Sequence, residues 1–476
     1  MVSPASRSSS ASAILIGALL LAGCESSEEG EAPTTELEIR RVVDTGGSGT
    51  SLRLVRDPSN EALHILKVDG TVLRLDNLDT SPAASVLYRS GDTGVASPRG
   101  LAFGPEGNLY VVGNSTFGLD TVGFVRRGVR VSATGDTRTF ATFASSVPYP
   151  RSNTAFDHLW NGIAVSPDGR SVFVNSGSRT DHGEIQTSGG RHPGMREVSL
   201  TAIVLRLPAS ATGLLLEDDE AALTQYVFAR GLRNSFDPAF DANGQLFAGD
   251  NSGDRDDSDE LNWIREGRHY GFPWRMGGND TPQQLPGYDP DADRLVNRRS
   301  YAYENGLFHD DPTYPIPPPV TFVEPVENTG PDADSYRDPG TGALLKASQT
   351  GRTLSTFTAH RSPLGLVFDT RNALPGRYRG GAFILGWTAG DATGSSGTGP
   401  FRDASQDLLF LELQRSGETY RVRSTSLVCG FRNPIDAEIR GGRLYVLEYG
   451  DNGSVFEITL PGAEPTGGRT CVSAPR

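Results

Sequence analysis

Gly162-Ile-Ala-Val-Ser-Pro-Asp-Gly-Arg-Ser-Val-Phe-Val174 consists of two short apolar runs joined by a Pro-Asp-Gly turn. Glycine supplies the positive φ that a tight turn needs, and the flanking runs have strand character, so the stretch predicts a β-hairpin. The arrangement recurs at Gly100-Leu-Ala-Phe-Gly-Pro-Glu-Gly-Asn-Leu-Tyr-Val-Val112, Asp237-Pro-Ala-Phe-Asp-Ala-Asn-Gly-Gln-Leu-Phe-Ala248 and Pro434-Ile-Asp-Ala-Glu-Ile-Arg-Gly-Gly-Arg-Leu-Tyr-Val446. Weaker copies surround Asp69-Gly70 and Gly365-Leu-Val-Phe-Asp369. Six units over residues 38–460 average about 70 residues each, against roughly 40–45 for a compact propeller repeat, which predicts long loops. A repeat of antiparallel sheets at this period predicts an all-β fold, a six-bladed β-propeller whose blades shield one another's edges. A two-sheet sandwich is the structural runner-up, and the period is too long and too regular for it. Met276 to Lys346 lacks the pattern, is rich in Pro, Asp, Gly and Tyr, and is predicted to wrap over one face of the propeller.

Composition agrees with this reading. The 476 residues include 57 Gly and 31 Pro, which favours tight turns over long helices. A net charge of −14 argues against a nucleic-acid partner, because phosphate contacts need a basic surface. No Gly-rich phosphate loop opens a helix, so a nucleotide cofactor is not expected.

The first residues are read as a targeting segment. Arg7 precedes an apolar core from Ala11 to Leu21, too short to span a bilayer as a mature helix. Leu21-Ala22-Gly23-Cys24 resembles the lipobox of bacterial lipoproteins, in which Cys24 would be lipidated and become the new N-terminus. Residues 1–23 are thus read as a lipoprotein signal peptide, 24–37 as a flexible linker, 38–460 as the propeller and 461–476 as a C-terminal tail. The expected location is the bacterial cell envelope, facing the periplasm or cell surface. Glu25 in place of Asp favours the outer over the inner membrane, and the lipid anchor would be the only membrane contact. Cys429 and Cys471 are either a disulfide, permitted in an oxidising compartment, or two thiols.

Chemistry concentrates between Gly231 and Pro273. Gly231-Leu-Arg-Asn234 leads into one hairpin, which is followed by the acidic loop Asp250-Asn-Ser-Gly-Asp-Arg-Asp-Asp-Ser-Asp-Glu260 and by Tyr270-Gly-Phe-Pro273. An Arg-Asn pair on one side of a strand and carboxylates on the other is a layout suited to an anionic cofactor bridged by a hard cation.

These motifs resemble the glucose/sorbosone dehydrogenases that use pyrroloquinoline quinone (PQQ). That family's pattern is G-[LFM]-R-N-P, a hairpin, D-E-[LI]-N, then N-Y-G-W-P, matched here by Gly231 to Asn234, Asp259-Glu-Leu-Asn262 and Tyr270 to Pro273. His158 stands at the family's spacing from a following Pro-Asp-Gly turn, and His360-Arg-Ser-Pro-Leu-Gly-Leu-Val-Phe368 and Arg377-Tyr-Arg-Gly-Gly-Ala-Phe383 continue the resemblance. The resemblance implies PQQ- and Ca2+-dependent oxidation of a sugar, polyol or related aldehyde, with electrons passed to an unknown acceptor. It implies His158 as general base and Arg233, Asn234 and Arg432 as cofactor contacts. Ser252 and Gly253 would offer carbonyls to calcium, and Asp259, Glu260 and Tyr270 match a second, structural calcium site.

Two departures stand beside the resemblance. No Lys follows the strand from Ala382 to Leu385, where the family places a cofactor contact, and Arg432-Asn-Pro-Ile-Asp436 holds one Arg at a shifted spacing. The alternatives are therefore a propeller without cofactor that binds a glycan or a protein, and a metal-dependent lactone hydrolase. The latter needs carboxylates and Asn converging on one metal at the propeller axis.

Overall fold

The computed structural model describes residues 36–46, 50–132, 135–390, 401–450, 453–462 and 471–476. The lipobox Cys24, the leader and most of the linker lie outside the described residues.

The hairpins of the sequence become strand pairs of six antiparallel sheets, inner pairs in most of them, whereas the Asp69-Gly70 turn joins the second and third strands of its sheet. Blade one comprises Ser51–Arg56, Leu63–Lys67, Val72–Asp76 and Ala83–Tyr88. Blade two comprises Pro98–Phe103, Leu109–Phe117, Asp120–Arg130 and Arg138–Ser146. Blade three comprises Trp160–Val165, Ser171–Ser176, Ile203–Pro208 and Val227–Arg230. Blade four keeps three strands, Ala239–Phe240, Leu246–Asp250 and Glu260–Ile264. Blade five comprises Pro363–Phe368, Ala382–Gly386, Leu408–Ser416 and Thr419–Cys429. Blade six takes Pro434–Arg440, Arg443–Glu448 and Ser454–Thr459 from the end of the chain, and Glu38–Asp44 pairs antiparallel with Ser454–Thr459 as its outer strand. The ring is thus closed by hydrogen bonds between the two ends of the described domain, and the radial arrangement leaves only the short outer edges of the blades.

The turns behave as their chemistry predicts. Gly107, Gly169 and Gly244 have φ of 79°, 70° and 73° at the tips of three of the hairpins. Blade five is the exception: the 13 residues between its first two strands include a 3-10 turn at Gly376–Tyr378, so the weaker repeat is a long connection rather than a tight hairpin.

Alternate residues of the strands meet between blades. Leu54, Ile65, Leu101, Val111, Ile435 and Leu447 form one buried cluster that spans blades one, two and six. At the axis, Arg53 is buried, its Nε and Nη2 donate to the carbonyls of Arg99 (3.0 Å) and Phe236 (2.7 Å), and its guanidinium lies 3.6 Å from the Phe236 ring centroid.

The Met276 to Lys346 stretch does pack over the end of the molecule where first strands begin. Ala302 N donates to Asp254 (2.8 Å), Tyr314 Oη donates to the His182 carbonyl (2.6 Å), and Glu327–Asn328 adds to the outer strand of blade five. The Cys429 and Cys471 thiols are joined as a disulfide, which holds Val472–Ser473 parallel to Val428 and Cys429.

Candidate active site

Each first strand starts at the same end of the propeller, so the residues just before it gather there. His158 precedes Trp160–Val165, Arg233 and Asn234 precede Ala239–Phe240, and His360 precedes Pro363–Phe368. The ends of second strands reach the same end and deliver Asp250 and Thr388. A cavity of about 300 Å³ is lined there by His158, Arg233, Asn234, Gly253, Asp259 and His360, with Asn251, Ser252, Asp254, Ser362 and Thr388.

His158 is fixed by its backbone partner. Its Nδ1 lies 3.2 Å from the Ser178 carbonyl, which can only accept, so Nδ1 carries the proton and Nε2 is left with a lone pair. Nε2 makes no hydrogen bond among the described residues. Burial, together with the positive charge of Arg233, pushes the His158 pKa down to about 3, so the ring is neutral at ordinary pH.

Arg233 turns out to be engaged by the protein. Its Nε donates to the Asp181 carbonyl (2.9 Å), Nη2 to the Asp181 carboxylate (3.0 Å) and Nη1 to the Asn251 carbonyl (3.3 Å). Asp181 also accepts from the Asp254 amide and pairs with His182 Nδ1 at 2.8 Å, while the His182 ring stacks on Phe308 with centroids 4.4 Å apart. Burial opposes charge on His182, but the Glu184 and Asp181 carboxylates outweigh it and raise its pKa. Asn234 sits beside this network: its side chain accepts from Asn161 (2.8 Å) and donates to Asn251 (3.3 Å). Opposite, His360 Nε2 bonds Asp256 at 2.9 Å, and the Asp256, Asp259 and Asp254 charges overcome burial to raise its pKa.

The residues expected to hold metal fall into two groups. Ser252, Gly253 and Asp259 line the larger cavity, but the Asp259 carboxylate already accepts from Ser252 N and Oγ (both 2.8 Å) and from Ser362 N (2.8 Å). Asp259 therefore shapes the loop that carries Ser252 and Gly253. Gly253 can be nothing larger, since a Cβ there would stand 2.9 Å from an Asp181 carboxylate oxygen. Glu260 and Tyr270 line a second, enclosed cavity of about 10 Å³ together with Asp250. That volume suits a single water or ion. Burial and the facing Asp250 charge push Glu260 up to about 8, and burial pushes Asp250 up to about 6. The Tyr270 hydroxyl donates to the Trp263 carbonyl (2.5 Å) and accepts from the Arg265 amide (2.8 Å). Among the described residues no three His, Cys, Asp or Glu side chains converge as a preformed metal centre.

Arg432 does not join the His158 cavity. It lines a separate cavity with Arg41, Glu448 and Arg476. The position after the second strand of blade five is filled by Trp387 and Thr388, and the following 391–400, outside the described residues, contains no Lys or Arg. At the axis, Asp237 lies 3.6 Å from Arg53, and Asp436 accepts from the Leu54 amide (2.8 Å). These carboxylates serve the buried guanidinium.

Asp181, His182, Asp250 and Asp254 were not singled out from the sequence as site residues. Asp250 and Asp254 belong to the acidic loop quoted above, and for Asp181 and His182 the run Thr180-Asp-His-Gly-Glu184 carried the signal, a His among acids, but the Asp181 partner Arg233 lies 52 residues away.

Residues 129–287 match the family model described as Glucose / Sorbosone dehydrogenase, which bears out the resemblance read from the motifs over the stretch that holds His158, Arg233, Asn234 and the acidic loop. Among solved structures, the soluble aldose sugar dehydrogenase from Escherichia coli in the apo-form matches at 14% identity and a TM-score of 0.51, over 89% of this chain and 99% of that one. A glucose dehydrogenase matches at 14% identity and a TM-score of 0.51, over 90% and 100%. The PQQ-bound aldose sugar dehydrogenase from Streptomyces coelicolor matches at 16% identity and a TM-score of 0.48, over 90% and 99%. These likenesses concern the propeller fold. No curated protein matches the chain.

Proposed function

We propose that the protein is an oxidoreductase of a sugar, polyol or related aldehyde that works with PQQ and calcium. The observation that carries this reading is a neutral His158, its Nε2 free of protein partners, in the wall of a cavity shared with Arg233 and Asn234, all within the segment matched to the family.

The cavity suits a flat quinone in size and in polar lining, and its charge suits the quinone only together with a cation. Arg233 is balanced by Asp181 and His360 by Asp256, while Asp254 adds a carboxylate to the wall. A tricarboxylate alone would meet little net positive charge. Calcium held by the Ser252 and Gly253 carbonyls would add two charges, which makes the pair a better match than either partner. Arg233 and Asn234 would contact the cofactor, and Ser362 and Thr388 would offer hydroxyls where the family uses a Lys. A second calcium between Asp250 and Glu260 would relieve the repulsion of two buried carboxylates.

When bound, the quinone would supply an electrophilic carbonyl as hydride acceptor, and calcium would supply Lewis-acid polarisation. The residues of this chain do the rest. The Ser178 carbonyl holds His158 in the tautomer with Nε2 unprotonated. Nε2 takes the proton of the substrate hydroxyl as the hydride leaves the same carbon. The Arg233–Asp181–His182 network holds the cavity wall, and the 300–314 segment backs it, with Phe308 stacked on the His182 ring and the Leu307 carbonyl 3.2 Å from His182 Nε2.

Lipidation of Cys24 would tether this activity to the bacterial cell envelope, in the outer membrane, with no other membrane contact. A second reading, a propeller that binds a glycan or a protein partner without cofactor, is favoured by the pairing of Arg233 with Asp181. Titration of the purified protein with PQQ and Ca2+, followed by absorbance and by dye reduction with aldoses, decides between them. Saturable binding and turnover support the oxidoreductase, and no quinone binding overturns it.

A further inference from the structure

The cavity that received Arg432 lies on the same end of the propeller, one blade on from His360. It holds about 260 Å³ and is built from four distant parts of the chain. Arg41 comes from the strand that closes blade six, Arg432 from the turn before the blade's first strand, Glu448 and Tyr449 from the end of its second strand, and Arg476 from the tail. The tail is brought there by the Cys429–Cys471 disulfide and the pairing of Val472–Ser473 with blade five.

Three guanidinium groups thus face one carboxylate side chain among the described residues. Arg41 is committed elsewhere: its Nη2 pairs with Asp44 at 2.6 Å and its Nε donates to Ser454 Oγ at 3.1 Å. Glu448 accepts from the Arg432 backbone amide at 2.6 Å, which fixes the turn and leaves the Arg432 guanidinium exposed. Neither Arg432 nor Arg476 makes a close ion pair among the described residues, and the single Glu448 carboxylate is shared at longer range by Arg476, Arg432 and Arg41. Gathering like charges from remote segments is unfavourable on its own and becomes favourable when a multivalent anion enters, since planar guanidinium donors match carboxylate and phosphate oxygens.

The pocket is distinct from the His158 cavity. Trp387 stands between them: its ring meets Tyr449 edge-on with centroids 4.9 Å apart, its carbonyl accepts from Asn433 Nδ2 at 3.2 Å, and the next residue, Thr388, lines the other cavity.

We propose that the Arg41–Arg432–Arg476 pocket is a binding site for a small carboxylate- or phosphate-bearing ligand, separate from the cavity of His158. The site does not depend on the oxidoreductase reading, because its groups are outside that cavity.

Calorimetric titration of the protein without quinone tests it, using inorganic phosphate and gluconate at constant ionic strength. At least one probe is expected to bind saturably, Arg432→Gln to weaken that binding at least tenfold, and His158→Asn to leave it within twofold. Binding of phosphate alone assigns phosphate esters, and binding of gluconate alone assigns carboxylates. No saturable binding of either probe, equal affinity in Arg432→Gln, or loss of binding in His158→Asn overturns the proposal.

Discussion

Arg233 grips Asp181 twice, through Nε to the backbone carbonyl at 2.9 Å and through Nη2 to the carboxylate at 3.0 Å. The one guanidinium in the His158 cavity is therefore locked in place and largely neutralised before any ligand arrives. Tight binding of a tricarboxylate then depends on charge brought by the metal. In EDTA, the affinity for PQQ is expected to fall at least about 100-fold, the loss of two charge-assisted contacts of roughly 1.5 kcal/mol each. Absorbance titration with and without calcium measures it, and equal affinities would show that side chains suffice.

His158 is expected to be a base over the whole working range. Its Nδ1 bond to Ser178 and its low pKa, about 3, keep Nε2 unprotonated. The pH profile of kcat/KM should show no acid limb from this group above pH 4, and a limb near 6.5 would contradict the burial argument. His158→Asn should retain PQQ affinity within about threefold and lose about 100- to 10,000-fold in turnover, the range of general-base catalysis. Unchanged turnover would remove His158 from the role.

Asp157, next in sequence, predicts a pH-dependent stability. Its side chain is buried, its Oδ2 has no hydrogen-bond partner, and burial raises its pKa from 3.8 to about 7 against the pull of Arg151 and Arg179. Between those values the native state holds a proton that the unfolded chain has lost. The contribution is therefore fully present below pH 3.8 and is lost as the pH climbs through about 7. Three units set an upper bound of about 4 kcal/mol. Asp157→Asn should flatten the dependence of urea midpoint on pH between 4 and 8 and be the more stable protein at pH 8. A parallel, unflattened profile would mean that Asp157 is ionised in the native state.

The disulfide closes a loop with a sequence separation of 42 between its cysteines. Cys471→Ser is expected to cost about 2–4 kcal/mol by freeing the tail in the unfolded chain. Urea unfolding of the variant and of wild type under oxidising conditions reads the difference, and a cost near zero would mean that the tail adds little constraint.

The propeller was legible because its determinants are local. A Pro-Asp-Gly or Asn-Gly turn between two apolar runs needs only neighbouring residues to become a hairpin, and six hairpins of one kind have few ways to bury their faces except around a common axis. His158, Arg233 and Asn234 were legible through short motifs that resemble the glucose/sorbosone dehydrogenases, and each sits just before a hairpin. The charge of the site was decided elsewhere. Whether Arg233 is available depends on Asp181, 52 residues earlier, and whether Asp259 binds metal depends on the Ser362 amide, 103 residues later. Arg432 reads as a cofactor contact in isolation, yet the closing strand and the stapled tail surround it with Arg41 and Arg476. Pairings of this kind are set by how blades pack and by which polar groups are left needing partners after burial. A linear chain carries no periodicity that reports them, so the hairpins and the positions of the candidate site residues belong to the sequence, and the electrostatics of the cavity belongs to the tertiary structure.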